Sequence, residues 1–400
     1  MIEKIFSPLA SYILLTLTIF GTGLDTSVGL NFLLLFMMFS TLNIFLNNTV
    51  KGTNAETSKI ALPAKMFFAS YLVLTISEVI TTGQIYSGLR IMVNFAPVGL
   101  LLPLVILTQK NRIGFRSLQR AVVGVAILYA VFAAYEVWVL GVGRARFGYN
   151  PIPLGMIAVQ FLFWSCISSQ NLRTPDIEYT MGIIAAFWVV FLTGSRMPIF
   201  VAILIVLLWL LFGRAKRNYK LVSLVGVVTI LPLQRFFNHE AYSVFVNRLA
   251  SLLWWFDKSA TIETASSSSG ISRMEIWRVA LGMIKDKPLL GWGSRQTLDQ
   301  TVHATYGSLD IAVIHSHFHN EIIDLTVRFG LVGSLSVILA YLSVFWMAKN
   351  LKQVIVIALF LTQLFVLSLT DIIFIHSVTL SMFVISFLMM SLWVLSEHEK

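Results

Sequence analysis

"LTGSRMPIFVAILIVLLWLLF", residues 192–212, decides the fold class. From Met197 to Phe212 no side chain is ionisable, and the next charge is Arg214. A run of this kind, close to the ~20 residues that cross a bilayer, reads as a membrane helix. In lipid only a helix satisfies its own backbone within one segment. Similar runs recur: "YILLTLTIF" from Tyr12, "NFLLLFMMFS" from Asn31 and "SMFVISFLMMSLWVL" from Ser381. The 400-residue chain is 57% hydrophobic and 12% charged, against about 25% charged for a soluble domain. The expected fold class is therefore an all-α polytopic membrane protein.

Working outward from that stretch, about twelve spans are expected, near 8–24, 28–46, 65–82, 91–108, 121–140, 153–169, 179–194, 197–212, 221–234, 329–348, 354–370 and 377–395. An even count puts both ends of the sequence on one side. The basic stretches 47–64, 108–120, 213–220 and 349–353 fall on that side, including Lys110, Arg112, Arg116 and Arg120 and then Arg214, Lys216, Arg217 and Lys220. By the lysine and arginine rule it is the cytoplasm. This distribution accounts for the net charge of +10 without invoking nucleic acid. Cys166, the single cysteine, lies in an apolar run, which excludes an intrachain disulfide and a cysteine metal cluster. The first apolar run lacks a small-residue cleavage site, so no cleavable signal peptide is expected.

On the opposite side the loops are short, except for residues 235–328. The expected division is 1–234 (spans one to nine), 235–328 (a loop domain containing helices) and 329–400 (spans ten to twelve). Long loops of this kind are usually functional. "FVNRLASLLWWF" (245–256) suits a helix lying in the bilayer interface. "TASSSSG" (264–270) is a flexible breaker. "SRMEIWRVALGMIKDKP" (272–288) opens with Ser272 and Glu275 in capping-box spacing.

Short loops outside the cytoplasm should be poor in lysine and arginine. Arg144 and Arg146 in "GRARFGYNP", and Arg196 in "LTGSR", break that expectation, and Arg273 sits near a helix start on the long loop. Arginine grips phosphate bidentately and tolerates partial dehydration better than lysine. Several guanidiniums on one face would form an anion site. Arg90 and Arg328 read instead as side chains snorkelling to lipid headgroups.

"IHSHFHNEIID" (314–324) places His315, His317 and His319 at alternate positions, followed by Asn320 and Glu321. On an extended segment the three histidines share a face; on a helix His315 and His319 do. The ligand count suffices for zinc, so a metal site stays open. The lack of a local acidic cluster and the presence of arginines weigh against it. A base needs only one imidazole, which titrates near neutral pH. His319 is preferred because Asn320 and an apolar helix follow it directly; His315 and His317 read as loop histidines bonding backbone.

"HFHNEIIDLTVRFGLVG" resembles the H-N-x-x-x-(D/E)…G-h-h-G pattern of bacterial O-antigen ligases, which belong with the O-antigen polymerases in one GT-C-like superfamily. "LTGSRMPIF" is similar to that family's arginine motif at a periplasmic helix junction, and "GISRMEIWRVALGMIKDKPLLGWG" to its second arginine motif. The resemblance implies His319 as the base that activates the acceptor, and Arg196 and Arg273 as ligands of the donor diphosphate. It also implies Arg146 as a weaker diphosphate match and Asn320 beside the base in contact with substrate. Asp371 in "TDIIFIHS" corresponds to an acidic residue that would orient His319 or pair with an arginine. It further implies no metal cofactor, an inner-membrane location with a periplasmic site, and two lipid partners. The donor would be a polysaccharide on undecaprenyl diphosphate and the acceptor lipid A–core. The nearest alternative is the O-antigen polymerase, with the same donor. A lipid or solute transporter without chemistry is the second, and it directs attention to Glu78 and Glu136, ionisable residues within spans three and five.

Overall fold

The computed structural model describes residues 8–21, 57–94, 98, 101–111, 113–147, 150–168, 177–213, 215–239, 242–243, 246, 269–293, 317–373 and 377–396. Among these residues every regular element is helical. In chain order the helices are α1 (Pro8–Gly21), α2 (Thr57–Thr82), α3 (Ile85–Asn94), α4 (Leu101–Lys110), α5 (Phe115–Ala134), α6 (Pro151–Ser168) and α7 (Ile177–Thr193). They continue as α8 (Arg196–Phe212), α9 (Arg217–Val228), α10 (Ile230–Phe237), α11 (Ser269–Asp286), α12 (Glu321–Ser343), α13 (Leu351–Ser368) and α14 (Ser377–Ser396). A π-helical turn, Tyr135–Val139, extends α5, and a 3₁₀ turn, Val344–Met347, extends α12.

Among the described residues six helical stretches are long and apolar enough to cross a membrane: Ile60–Thr82, Phe115–Val139, Arg217–Phe237, Glu321–Met347, Leu351–Ser368 and Thr379–Ser396. Tyr12–Gly21, Pro151–Ile167, Ile177–Thr193 and Arg196–Phe212 are shorter apolar helices. The chain is a multi-pass membrane protein. The span expected at 28–46 lies outside the described residues, as does the interfacial helix at 245–256 except for Val246. The region expected as one span at 91–108 contains the end of α3 and most of α4. Leu331, Leu335, Leu339 and Leu342 on α12, and Leu204, Leu207 and Leu211 on α8, are exposed. Rows of this size on a water-soluble protein would be an aggregation surface; on membrane helices they face lipid.

The chain divides into two compact units. The first comprises Met1–Lys51, Val105–Lys258 and Ile385–Lys400; the second comprises Gly52–Leu104 and Ser259–Val384. In the first, α7 packs along α5 and α6. The close approach depends on Gly182, where a Cβ would stand 2.7 Å from Ser165 Oγ and 2.8 Å from Val123 Cγ2. Small residues permit such contact between membrane helices. Buried polar groups bond across helices: Trp164 Nε1 donates to Ser386 Oγ (3.2 Å), which donates to Gln160 Oε1 (3.3 Å).

In the second unit α12 packs along α2, and α11 packs against α12. Asparagines start both α12 and α13. Asn320 Oδ1 accepts from Ile323 N (3.1 Å), and Asn350 Oδ1 accepts from Gln353 N (2.9 Å) while Gln353 Oε1 accepts from Lys349 N (2.7 Å). Both caps settle donors the first helical turn leaves without partners, and at α13 Gln353 returns a bond to the backbone ahead of the helix. The capping expectation at Ser272 is corrected: α11 begins at Ser269, so Ser272 and Glu275 lie inside the helix.

Candidate functional site

In the second unit a broken helix carries the histidine loop. α12 is interrupted at Gly330 (φ 66°, ψ −172°), a conformation open essentially to glycine alone. An unbroken helix would bond Leu331 N to Val327 O and Val332 N to Arg328 O. Here the turn after α11 intercepts both pairs. Trp292 N and Gly293 N donate to Val327 O and Arg328 O, each at 2.8 Å, and Leu331 N and Val332 N donate to Pro288 O (2.8 Å) and Leu289 O (3.3 Å). Ser77 and Thr81 of α2 add hydroxyl bonds to Leu290 O at 3.2 and 3.1 Å. Irregular backbone inside a membrane protein survives where its polar groups are satisfied in this way. The backbones touch so closely that a Cβ on Gly330 would lie 2.0 Å from Leu289 O, and one on Gly291 2.5 Å from Arg328 O. The "PLLGWG" and "GLVG" segments are thus two halves of one interlock. Glu78 is fully buried on α2 at the same place, 3.5 Å from where a Gly293 Cβ would stand.

The histidine loop is anchored from both ends. Phe318 inserts into an apolar cluster with Ile276, Ala280, Met283 and Val327. Its carbonyl accepts from Trp277 Nε1 (2.8 Å), and its N–H donates to Asp324 Oδ1 (3.1 Å). Asp324 in turn receives Arg328 Nε on Oδ2 at 2.7 Å, with 5% and 0% of the two side chains exposed. The snorkelling expectation for Arg328 is therefore corrected: this is a buried ion pair at i, i+4.

With Phe318 held in the core, His317 and His319 come together, ring centroids 4.2 Å apart. Both face Asp371, in the turn between α13 and α14. His317 Nε2 is 2.9 Å from Asp371 Oδ1, and His319 Nδ1 is 4.0 Å from the same oxygen. The acid's closer partner is His317, which the sequence reading passed over; its expected partner, His319, stands one step further off. Ile372 N also donates to Oδ1 at 2.9 Å. Burial pushes the Asp371 carboxyl up, but His317's hydrogen bond and charge, the Ile372 N–H and His319 outweigh it, and the group sits below its ordinary value. His319 has φ 51°, a left-handed backbone that costs an L-residue about 1–2 kcal/mol. Strain of this kind concentrates at functional sites. One donor atom each from His317, His319 and Asp371 lie within 4.8 Å of one another, so the three can hold a metal ion. Asn320, expected to touch substrate, caps α12 with its side-chain carbonyl. His315 lies outside the described residues.

The first unit holds a different junction. α7 ends at Thr193, Gly194 turns the chain with φ 57°, and α8 starts at Arg196. Arg144 grips this turn: Nε donates to Thr193 O (2.7 Å) and Nη2 to Ser195 Oγ (3.0 Å). The Ser195 hydroxyl donates to Pro151 O (3.3 Å), so it does not cap α8. Arg196 is half-buried in the first turn of α8, which carries no acidic residue. A helix N-terminus with a guanidinium beside it favours an anion. Arg146 is exposed, and its own N–H and that of Phe147 donate to Glu136 Oε2 (2.8 and 3.0 Å). Sequence reasoning ranked Arg146 above Arg144, and "GRARFG" alone does not say which arginine meets the turn. Arg273 lies on α11 in the second unit.

Residues 181–338 match the sequence profile of the family described as O-antigen ligase. Over that segment the chain is similar to the O-antigen ligase family. The O-antigen ligase segment carries Arg196, Arg273, the Gly330 interlock and the histidine loop, while Arg144, Arg146 and Asp371 stand outside it. A Haemophilus influenzae protein described only as uncharacterized is 23% identical over 316 residues, covering 75% of this chain and 75% of its own.

Proposed function

We propose that this protein is an O-antigen ligase: a metal-independent, inverting glycosyltransferase of the bacterial inner membrane with its site facing the periplasm. It moves O-antigen polysaccharide from undecaprenyl diphosphate to a sugar hydroxyl of lipid A–core. What carries this reading is His319 itself. Within the segment of the O-antigen ligase family, it is a buried imidazole on strained backbone, one residue ahead of a helix cap, with a carboxylate 4.0 Å from Nδ1.

In the proposed step the acceptor oxygen attacks the anomeric carbon, and its proton passes to His319. The bond from that carbon to the diphosphate breaks, and the electron pair stays on the departing oxygen. Arg196 and Arg273, with Arg146 as a third contributor, answer that growing charge; donors placed in advance stabilise a transition state by several kcal/mol. His317 holds the Asp371 carboxylate in place, and that carboxylate fixes the orientation of His319. One displacement with one base inverts the anomeric centre.

Purified protein in lipid, supplied with both lipid substrates, is the test. His319→Ala should lower transfer about 10²–10⁴-fold, the span expected for losing a general base. Arg196→Ala should lower it with donor saturation impaired. Transfer by His319→Ala at the wild-type rate would remove the base assignment. A strain lacking the protein separates ligase from polymerase: long polymer stranded on the lipid carrier supports the ligase, and single repeat units would make it a polymerase.

A further inference from the structure

We propose that His317, His319 and Asp371 form a binding site for a zinc-class divalent ion, and that the ion inhibits transfer by occupying the base. The binding part stands on the structure of the second unit. The inhibitory part rests on the proposed role of His319.

Zinc holds imidazole nitrogens and carboxylate oxygens at about 2.0–2.2 Å, which puts the donor atoms of a tetrahedral site roughly 3.3 Å apart. Here Asp371 Oδ1 stands 2.9 Å from His317 Nε2 and 4.0 Å from His319 Nδ1, and one donor from each residue fits within 4.8 Å. Those separations bracket the tetrahedral value, so the ion enters with small side-chain shifts. Two imidazoles and one carboxylate select a transition ion, because magnesium and calcium prefer an all-oxygen shell. Three protein ligands leave a fourth position open, as in accessible zinc sites.

The donors are also held before any ion arrives. The side chains of His317, His319 and Asp371 are only 13%, 10% and 3% exposed. The Ile372 N–H orients the carboxylate at 2.9 Å, and outer hydrogen bonds of this type raise metal affinity. Phe318 pins the backbone between the two rings through Trp277 and Asp324. The guanidinium of Arg328 is answered by Asp324 at 2.7 Å, which lessens its opposition to a cation.

The consequence for the base follows from imidazole chemistry. A neutral ring that gives its Nδ1 lone pair to a metal carries its proton on Nε2. Neither nitrogen is then left to accept a proton from a sugar hydroxyl. Zinc and the acceptor proton therefore compete for one ring.

The test uses the full-length protein in detergent or nanodiscs, with zinc and cobalt(II) as probes. Equilibrium dialysis should give one zinc per chain. Cobalt should give the visible bands of a tetrahedral site, displaced by zinc. His317→Ala and Asp371→Asn should each weaken binding by at least about tenfold, with folding checked by size exclusion and circular dichroism. The conservative Asp371→Glu, which keeps a carboxylate, should bind more tightly than Asp371→Asn. No stoichiometric binding, or binding indifferent to both residues, would overturn the site. In the transfer assay, inhibition by zinc that a chelator reverses supports the competition. Activity that a chelator abolishes and zinc restores would overturn both the inhibition and the metal-free reaction. If no condition gives transfer, the ligase reading fails, and the dialysis and cobalt measurements still decide the metal site.

Discussion

Two helix junctions carry the residues of interest, and they are locked by different means. At Thr193–Arg196 the chain turns through Gly194, and a side chain, Arg144, closes the turn from outside. At Gly330 backbone meets backbone, with four hydrogen bonds exchanged between residues 288–293 and 327–332. A side-chain lock leaves space around the glycine: a Cβ on Gly194 would meet Arg144 Nε at an ordinary 3.5 Å. A backbone lock leaves none, since the same Cβ on Gly330 would meet Leu289 O at 2.0 Å. The first junction tolerates adjustment at its arginine end, while the second fixes the histidine loop rigidly to α11.

The strongest way to break the comparison is to substitute the two glycines. Gly330→Ala forces an L-residue into a conformation essentially reserved for glycine and collides with a carbonyl that cannot move alone. It should destabilise by more than about 4–5 kcal/mol, the range reserved for such mechanisms, and abolish the monodisperse peak in size exclusion. Gly194→Ala meets only the left-handed backbone cost of about 1–2 kcal/mol and should remain folded, with a modestly lower melting temperature. Equal behaviour of the two variants would show that the interlock is not the rigid element.

Next in size is the anchor of each junction. Asp324→Ala leaves the buried Arg328 charge without its carboxylate and takes the acceptor from Phe318 N; breaking a buried pair from one side costs about 3–5 kcal/mol. The double change Asp324→Asn with Arg328→Met should recover much of that stability yet leave the loop's Phe318 bond weakened, so transfer should recover less than the melting temperature does. Arg144→Ala removes the bonds to Thr193 O and Ser195 Oγ from a buried turn, a loss of about 1–3 kcal/mol. Because it also loosens the start of α8, donor saturation should suffer more than turnover, and Arg144→Lys should restore only part of it. Kinetics of Arg144→Ala and Arg146→Ala side by side would sharpen which of the two matters.

How much of this was legible in the sequence depends on how far each interaction reaches along the chain. The membrane class is legible in runs such as 197–212, because composition alone carries it. The Asp324–Arg328 pair sat in plain view at i, i+4 spacing, and reading Arg328 as a snorkelling residue overlooked the most local signal available. The alternation of His317, Phe318 and His319 implied two histidines on one face, which is how the structure arranges them. The resemblance offered Asp371 as a residue that would orient His319 or pair with an arginine; that it stands nearer His317 was not legible, because Asp371 lies some fifty residues on and only packing brings it there. The same holds for "PLLGWG" against "GLVG": each reads as a turn or a helix by itself, and their exchange of hydrogen bonds is a tertiary event. Arg144 and Arg146 differ by two positions in a loop, and composition cannot choose between them.

The smallest effect tests whether burial, rather than the presence of an ion pair, separates the two regions. Arg120 Nε lies 3.2 Å from Glu178 Oε2, against 2.7 Å for Arg328 Nε to Asp324 Oδ2, and 61% and 48% of the Arg120 and Glu178 side chains are exposed. Solvent screens such a pair, and holding two long side chains together costs entropy, so its net contribution is about 0–1 kcal/mol. Arg120→Ala and Glu178→Ala should each shift the melting temperature by only a degree or two, and less in high salt. Arg328–Asp324 should show little salt dependence, because ions do not reach it. A double-mutant cycle on each pair at two salt concentrations measures the difference directly. If the exposed pair proved as strongly coupled as the buried one, desolvation would no longer explain why the histidine loop's anchor is the stiffer of the two.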